Sequence, residues 1–205
     1  MLSEDYTLDP GWLRAALAAE EGVTAGVVEP APDASLAVRA IYLWEYSHAA
    51  PPRREGALDE AEARLAPAGC VVYAAGAAEP ADIAGSASEL DYHSAMFERG
   101  VAFQRDAALR AFYHPPTLAT FVRDRRRWSH DWAGARARGM SGGARTAAAL
   151  SRLLLPLLLL LRLARNVAAR PRWAATAILA FPLYVAFACV QTLGETTGFL
   201  RGGDG

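Results

Sequence analysis

One uncharged segment near the end of the chain constrains the fold more than any other feature. Residues 173–194 (WAATAILAFPLYVAFACVQTLG) form a run of 22 positions without a charged side chain. A helix of about 20 apolar residues crosses a hydrocarbon core of about 30 Å, and tryptophan is enriched at the interface, where Trp173 would lie. The segment therefore predicts a transmembrane helix, in which Pro182 is tolerated.

A second apolar segment, residues 146–161 (TAAALSRLLLPLLLLL), is shorter and contains Arg152 and Pro156. If it also crossed the bilayer, the arginine-rich connector 162–172 would lie on the outer side, against the positive-inside tendency. If it lies in the interface or is re-entrant, the connector stays on the cytoplasmic side. The sequence favours the interfacial or re-entrant helix and leaves a transmembrane hairpin as the alternative.

Charge is distributed unevenly along the chain. Residues 1–100 contain 17 acidic and 6 basic side chains, and residues 101–205 contain 5 and 15, so the halves carry −11 and +10 and the net charge is −1. A basic half that includes the membrane segments favours an anionic membrane lipid as partner, and the acidic first half argues against nucleic acid. We therefore expect the protein at the cell membrane, with its soluble part on the cytoplasmic face.

Before the membrane segments, helix and strand signals alternate, as is typical of an α/β domain. Helices are predicted over 11–21, 35–48, 88–100 and 117–138, and strands over 23–30, 70–75, 101–105 and 108–114. The predicted organisation is an α/β domain (1–114), a basic amphipathic interface helix (115–140) and a membrane region (141–205).

The basic helix is predicted to have two faces, because its aromatic and basic residues recur at helical spacing. One face holds Arg125, Trp128, Trp132 and Arg136, and the other holds Arg123, Arg127 and His130. Arginines on such a helix can attract anionic lipid, at about 1 kcal/mol each, or can hold phosphate oxygens in a cleft. The sequence leaves these two alternatives open and makes nucleic acid the least favoured ligand.

Two acidic stretches are candidates for chemistry. SELDYH (88–93) places Glu89 and His93 one helical turn apart, with Asp91 on another face. A carboxylate there can serve as a general base, or can only complement the helix dipole. At the beginning of the chain, Glu4 and Asp5 are predicted at the end of a strand, before a turn and a helix. Ligand and metal sites form at the carboxyl edge of α/β sheets.

Taken in this order, the stretches resemble the second half of a family 2 glycosyltransferase of the GT-A fold, anchored to the membrane at its C-terminus. LSEDYTLDPGWL resembles the acidic metal-binding motif of that family and the Gly-Trp-Leu that follows it. Ser3 and Asp5 fall at the two aspartates of the Asp-x-Asp pattern, and Glu4 lies between them.

Three later stretches resemble the same family. SELDYHSAMFERG is similar to its Glu-Asp-x-Asp stretch, with Ser88, Glu89 and Asp91 at the acidic positions. RDRRRW is similar to its Gln-x-x-Arg-Trp region, in which Arg127 and Trp128 match. The sequence GETTGFL (194–200) resembles the tail of anchored members.

The resemblance implies a partial GT-A, Rossmann-like α/β domain followed by an amphipathic and transmembrane helical region. The implied reaction is transfer of a sugar from a nucleotide diphosphate sugar to a lipid-linked or cell-envelope acceptor, with a divalent metal, Mn²⁺ or Mg²⁺, as cofactor. The implied site residues are Glu4 and Asp5 for the metal, Glu89 and Asp91 for catalysis, and Arg123, Arg125, Arg127 and Trp128 for the diphosphate or the acceptor.

The first half of the family fold binds the base and ribose of the donor, and we expect it upstream of residue 1 or in a second chain. The alternative function is a non-catalytic remnant or a partner-binding membrane subunit of a split glycosyltransferase. Such a subunit would bind anionic bilayers through residues 117–172 but would not bind nucleotide.

Overall fold

The computed structural model describes residues 6–51, 54–66, 70–79 and 89–201. It is a mixed α/β structure, which confirms the predicted class. The Cα positions separate into two compact units. Unit 1 contains the residues up to Ala34 together with Glu45–His114, and unit 2 contains Ser35–Trp44 and the chain from Pro115 onward. The chain leaves unit 1 at the predicted boundary after residue 114, whereas residues 35–44 belong with the later helices.

The helices, numbered along the chain, are α1 (Trp12–Leu17), α2 (Leu36–Tyr46), α3 (Glu60–Arg64), α4 (Glu89–Glu98), α5 (Leu118–Ala137), α6 (Gly142–Ser151), α7 (Leu155–Ala168), α8 (Ala174–Leu179) and α9 (Phe181–Arg201). The strands are β1 (Tyr6–Leu8), β2 (Val23–Pro30), β3 (Gly56–Ala57), β4 (Val71–Tyr73) and β5 (Phe103–Tyr113). The predicted helices over 35–48, 88–100 and 117–138 and the predicted strand over 23–30 are therefore confirmed.

Unit 1 is built on a sheet of five strands in the order β1-β5-β2-β4, in which β3 also pairs with β5. Strands β2 and β5 are parallel, while β1, β3 and β4 are antiparallel to their neighbours. Nearly every residue of β2 is buried, as expected of a strand covered on both faces. Its core partners in unit 1 are Leu58, Ala63, Ala66, Ala77, Met96 and Phe103.

The sequence predicts two short strands, over 101–105 and 108–114, where the structure has the single strand β5. The register with β2 explains the difference, because Ala25 pairs with Arg105 and Val27 pairs with Arg110. The extra β5 residues form a bulge, in which Ala108 N donates to Asp106 Oδ1 at 2.8 Å. A turn-forming aspartate thus bends the strand without ending it.

Unit 2 is helical, and aromatic contacts join α2 to the helices at the end of the chain. The Trp44 ring is stacked on Tyr184 at 6.3 Å and meets the edge of Phe187 at 5.7 Å between centroids. Tyr42 contacts Trp173 at 5.4 Å. These contacts are the physical reason why residues 35–44 belong to unit 2.

The helical run Gly142–Ala168 comprises α6, a 3₁₀ turn at Arg152–Leu154, and α7. It has 27 residues, and its most apolar 18-residue window has a mean hydropathy of 1.9 and is only 11% buried. Its length and composition are sufficient to cross a bilayer. Residues 146–161, predicted to form an interfacial or re-entrant helix, lie within this longer run. Pro156 does not interrupt it, because proline in the first turn of α7 has no helical N–H bond to lose.

Residues 173–194, predicted to form one transmembrane helix, are divided between α8 and α9. The segments Pro171–Leu179 and Phe181–Arg201 are bent by 76° relative to each other. Pro182 gives the reason, because proline cannot donate to the previous turn and disfavours the helical conformation of the residue before it. Within the described residues, one helix is long and apolar enough to cross a membrane, or two if the bent pair is one span.

A buried ion pair lies within unit 2. Glu195 is 4% exposed, and its Oε2 lies 3.4 Å from Arg152 Nε. Gln191 Nε2 donates to the other carboxylate oxygen at 3.1 Å. A charged residue in an apolar helix is tolerated when it has such a partner, so Arg152 does not exclude a membrane span as its sequence context suggested.

Substitution of Gly26 tests the β2–β5 pairing. A Cβ at Gly26 would overlap Leu109 O and Cys70 Sγ. We expect Gly26→Ala to lower the free energy of unfolding of unit 1 by about 1–3 kcal/mol, because backbone atoms must shift. Chemical unfolding in neutral detergent measures this. The control is Gly11→Ala, whose Cβ would lie 3.4 Å from Asp9 Oδ1. Equal destabilisation by both variants would show that the β2–β5 pairing does not require glycine at position 26.

Candidate functional site

A basic groove lies between α5 and α9 in unit 2. Its volume is about 640 Å³, and its lining includes four arginines, one histidine and several aliphatic residues. The basic residues are Arg123, Arg126, Arg127 and His130 from α5 and Arg201 from the end of α9. Of the residues predicted to bind phosphate, the structure places Arg123 and Arg127 here.

Two glycines of α9 create the close approach of the two helices. A Cβ at Gly194 would lie 2.6 Å from Arg126 O and 2.8 Å from Ser129 Cβ. A Cβ at Gly198 would overlap His130 O and lie 2.8 Å from Ala133 Cβ. Small residues spaced four apart let helix backbones pack closely, so the sequence GETTG has a direct structural role. This packing brings the arginines of α5 next to Arg201.

The basic side chains also make ion pairs along α5. Arg123 Nε lies 3.1 Å from Asp124 Oδ1, and Arg127 Nε lies 3.8 Å from Asp131 Oδ2. These side chains are mostly exposed, and exposed pairs contribute little, about 0–1 kcal/mol each. A phosphate can therefore compete for the guanidinium groups at low cost.

The opposite face of α5 carries the aromatic residues, as the spacing predicts. The Arg125 guanidinium lies 5.4 Å from the Phe121 ring and 5.6 Å from the Trp128 ring. Trp128 stacks on Trp132 at 6.4 Å, and Arg136 covers Trp132 at 4.7 Å. The two-faced helix is thus confirmed, and Arg125 and Trp128 lie outside the lining of the basic groove.

The predicted catalytic and metal residues belong to unit 1. Glu89 is the first residue of α4, and Asp91 is exposed on the same helix. Glu4 and Asp5 lie outside the described residues. The residue that follows them, Tyr6, begins β1, although the sequence predicts a turn there.

β1 begins at the edge of the sheet where the two parallel strands end. Tyr6 pairs with Tyr113, the last residue of β5, which also pairs with Pro30 at the end of β2. The chain thus enters unit 1 at the carboxyl ends of the two parallel strands. His93, by contrast, contacts Phe103 at the start of β5, with 5.5 Å between the ring centroids. The carboxyl edge and the end of the sheet that contacts His93 are therefore about 23 Å apart along β2.

A cluster of tyrosines and one carboxylate occupies the carboxyl edge. Tyr113 Oη donates to Glu45 Oε2 at 2.5 Å, and the hydroxyl groups of Tyr6 and Tyr46 are hydrogen-bonded to each other. The Tyr113 ring lies 5.4 Å from Tyr6 and 5.3 Å from Tyr46. Burial, with the neighbouring Tyr6 and Glu45, raises the pKa of the Tyr46 hydroxyl. This hydroxyl therefore stays protonated and serves as a hydrogen-bonding group.

His93 is a core residue and not a candidate catalytic group. It is fully buried and shares a 2.8 Å hydrogen bond between its Nε2 and Tyr73 Oη. Burial lowers the pKa of His93 to about 4, so the ring is neutral at physiological pH. The spacing of SELDYH alone did not predict that His93, one helical turn after Glu89, is buried among hydrophobic residues.

The sequence did not predict all residues of the basic groove, nor the residues of the tyrosine cluster at the carboxyl edge. Arg126 shares the helical spacing of Arg123, Arg127 and His130 and could have been included on that basis. Arg201 gave no such signal, because it follows α5 by more than sixty residues and only the packing of α9 brings it there. Glu45 and Tyr46 end a helix whose pattern indicates packing and nothing else.

The described residues contain no group of three potential metal ligands. No protein-family model, no curated protein and no solved structure matches the chain. The family resemblance therefore rests on the residues quoted from the sequence.

Acid should destabilise unit 1 through His93. The unfolded chain binds a proton at its ordinary pKa of 6.5, whereas the folded chain binds it only near pH 4. Stability is therefore complete above pH 6.5 and falls as the pH is lowered toward 4, by up to about 3 kcal/mol. Denaturant unfolding across this range measures the slope, which His93→Gln should flatten and His114→Gln, at an exposed position, should leave intact.

Enlarging Gly198 should separate α5 from α9. We expect Gly198→Leu to lower the unfolding temperature and cost about 1–3 kcal/mol, since the new side chain meets the α5 backbone. Calorimetry in detergent tests this. Gly143→Leu is the matched control, because nothing lies within 4 Å of a Cβ at Gly143. Equal stability of the two variants would show that the helix contact does not require glycine.

Proposed function

We propose that this chain is the membrane-associated half of a GT-A glycosyltransferase. It transfers a sugar from a nucleotide diphosphate sugar to a lipid-linked or cell-envelope acceptor. The observation that carries the proposal is the entry of the chain at the carboxyl edge of the β2–β5 sheet, directly after Glu4 and Asp5. Nucleotides and their metals bind at this edge in α/β proteins.

Glu4 and Asp5 would hold the metal, since carboxylate oxygens are the ligands that Mg²⁺ and Mn²⁺ prefer. When bound, such an ion neutralises charge on the leaving diphosphate. Two described carboxylates lie at the same edge. Glu45 Oε2 accepts a hydrogen bond from Tyr113, and Glu29 pairs with Phe112 near the end of β2.

The remaining roles follow from the chemistry of glycosyl transfer. The resemblance assigns Glu89, at the first turn of α4, to accept the proton of the acceptor hydroxyl as its oxygen attacks the anomeric carbon. His93 of the same helix contacts the start of β5, about 23 Å along β2 from the edge proposed for the metal, so this role rests on the resemblance and not on the position of α4. The nucleoside diphosphate leaves with the electrons of the broken glycosidic bond.

Of the residues that the resemblance assigns to the diphosphate or the acceptor, Arg123 and Arg127 line the basic groove of unit 2 and would bind an acceptor phosphate through charge-assisted hydrogen bonds. Arg125 and Trp128 lie on the other face of α5. Residues for the base and ribose would come from upstream sequence or a second chain.

The alternative is a non-catalytic membrane subunit, and departures from the family pattern at two positions favour it. Ser3 and Glu89 replace the aspartates of that pattern. Such a subunit would keep the basic groove and the apolar helices but would not bind nucleotide.

Calorimetric titration of the detergent-purified chain with UDP, GDP and dTDP, each with and without Mn²⁺, separates the two functions. A transferase should bind at least one nucleotide in a metal-dependent way, and Asp5→Ala should weaken this binding by about tenfold or more. The control, Asp33→Ala, removes an exposed carboxylate after β2 and should have no effect. Absence of binding to all three nucleotides would refute transfer by this chain alone and favour the membrane subunit.

A further inference from the structure

The lining of the basic groove is amphiphilic. Besides Arg123, Arg126, Arg127, Arg201 and His130, it contains Ala119, Val122, Val190 and Leu193. A ligand that fills the groove must therefore present negative charge to one part of it and hydrocarbon to another. Inorganic phosphate meets only the first requirement.

The groove lies along the C-terminal half of α9. Exposed apolar side chains continue along the helix from Phe181 and Val185 to Leu193 and Leu200, and Arg201 is its last residue. The groove uses α9 from Val190 to Arg201. If α9 enters a bilayer, this region corresponds to the depth of the lipid head groups.

The aromatic face of α5 indicates the same depth. Trp128 is 56% exposed, stacks on Trp132 and has the Arg125 guanidinium over its ring. Exposed tryptophans with arginines beside them are typical of the interface between hydrocarbon and water. A helix with this face in the interface holds its basic face within reach of lipid phosphates.

His130 completes the basic lining of the groove. Its side chain is 32% exposed, and its Nδ1 lies 3.2 Å from Asp131 Oδ1. The exposed part of the imidazole can contact a ligand beside the neighbouring arginines.

A nucleotide fits the same lining less well. The lining residues of the groove offer no aromatic ring to stack on a base apart from the His130 imidazole. Stacking on aromatic side chains is a principal source of affinity for bases. The aliphatic residues Val122, Val190 and Leu193 instead suit a hydrocarbon chain.

We propose that the basic groove binds a lipid that ends in a phosphate, with the phosphate on Arg126, Arg127, Arg201 and His130 and the first part of the chain against Val122, Val190 and Leu193. The identification of this lipid as the sugar acceptor rests on the proposed function. Its binding does not, because the groove is formed entirely by unit 2.

The test is titration of the full chain, in neutral detergent, with four probes. These are farnesyl monophosphate, dioctanoyl phosphatidic acid, dioctanoyl phosphatidylcholine and inorganic phosphate. We expect both phosphate monoester lipids to bind about tenfold more tightly than phosphatidylcholine and inorganic phosphate. Farnesyl phosphate binding more tightly than phosphatidic acid would assign an isoprenoid lipid, and the reverse would assign a phospholipid. Equal binding of inorganic phosphate would overturn a lipid site.

Matched variants locate the site. The double variant Arg126→Gln/Arg127→Gln should weaken lipid binding by about tenfold or more, whereas Arg136→Gln/Arg138→Gln removes the same charge outside the groove and should not. Leu193→Asn should weaken lipid binding and leave phosphate binding unchanged, and Leu193 is exposed enough to tolerate the change. Equal losses in the two arginine variants, at unchanged unfolding temperatures, would show diffuse charge attraction and refute the groove.

No nucleotide is present in this experiment, so its outcome is independent of the donor titration. Lipid binding without nucleotide binding would refute transfer by this chain alone and retain the groove. Nucleotide binding without lipid binding would refute the groove and retain the transferase.

Discussion

The close contact of α5 with α9 is the interaction on which unit 2 depends. Gly194 and Gly198 have no side chain to separate the helices, so backbone meets backbone at Arg126 and His130. In an apolar environment, where hydrophobic burial gives little association energy, such packing is a main source of helix affinity. The same contact forms the basic groove, because it places Arg201 beside the arginines of α5. Structure and proposed ligand binding therefore share one physical cause.

In unit 1 the corresponding element is β5, the strand that pairs with β1, β2 and β3. Its parallel pairing with β2 creates an edge where the carboxyl ends of both strands meet. Tyr6, which follows the acidic residues in the sequence, and the cluster of Tyr113 with Glu45 belong to this edge. A donor site at this edge and a lipid site in the basic groove would give the two units separate tasks.

Much of the local structure follows from the sequence. The apolar run of β2 and the helical spacing of α5 were sufficient to predict both elements and the two faces of α5. The bend at Ala180 and the length of the run Gly142–Ala168 were not, although both depend on prolines visible in the sequence. Proline ends a helix when it falls in the helix interior and is tolerated when it falls in the first turn. Which of the two applies depends on where the neighbouring turns begin the helix. Likewise, the sequence predicts two strands on either side of Asp106, whereas in the structure Asp106 lies in a bulge and the single strand β5 continues past it.

The sequence by itself determined the α/β class, the apolar helices and the residue types of the basic helix, because these depend on composition and on spacing along one element. Tertiary structure decided which residues share a site. It separated Arg125 and Trp128 from the groove and added Arg201, and it buried His93 in the core. It also placed Glu195 of α9 beside Arg152, so that the charge of Arg152 is paired within unit 2. Such partners are distant in the sequence and come into contact only when the helices pack, so the residue spacing within one helix does not predict them.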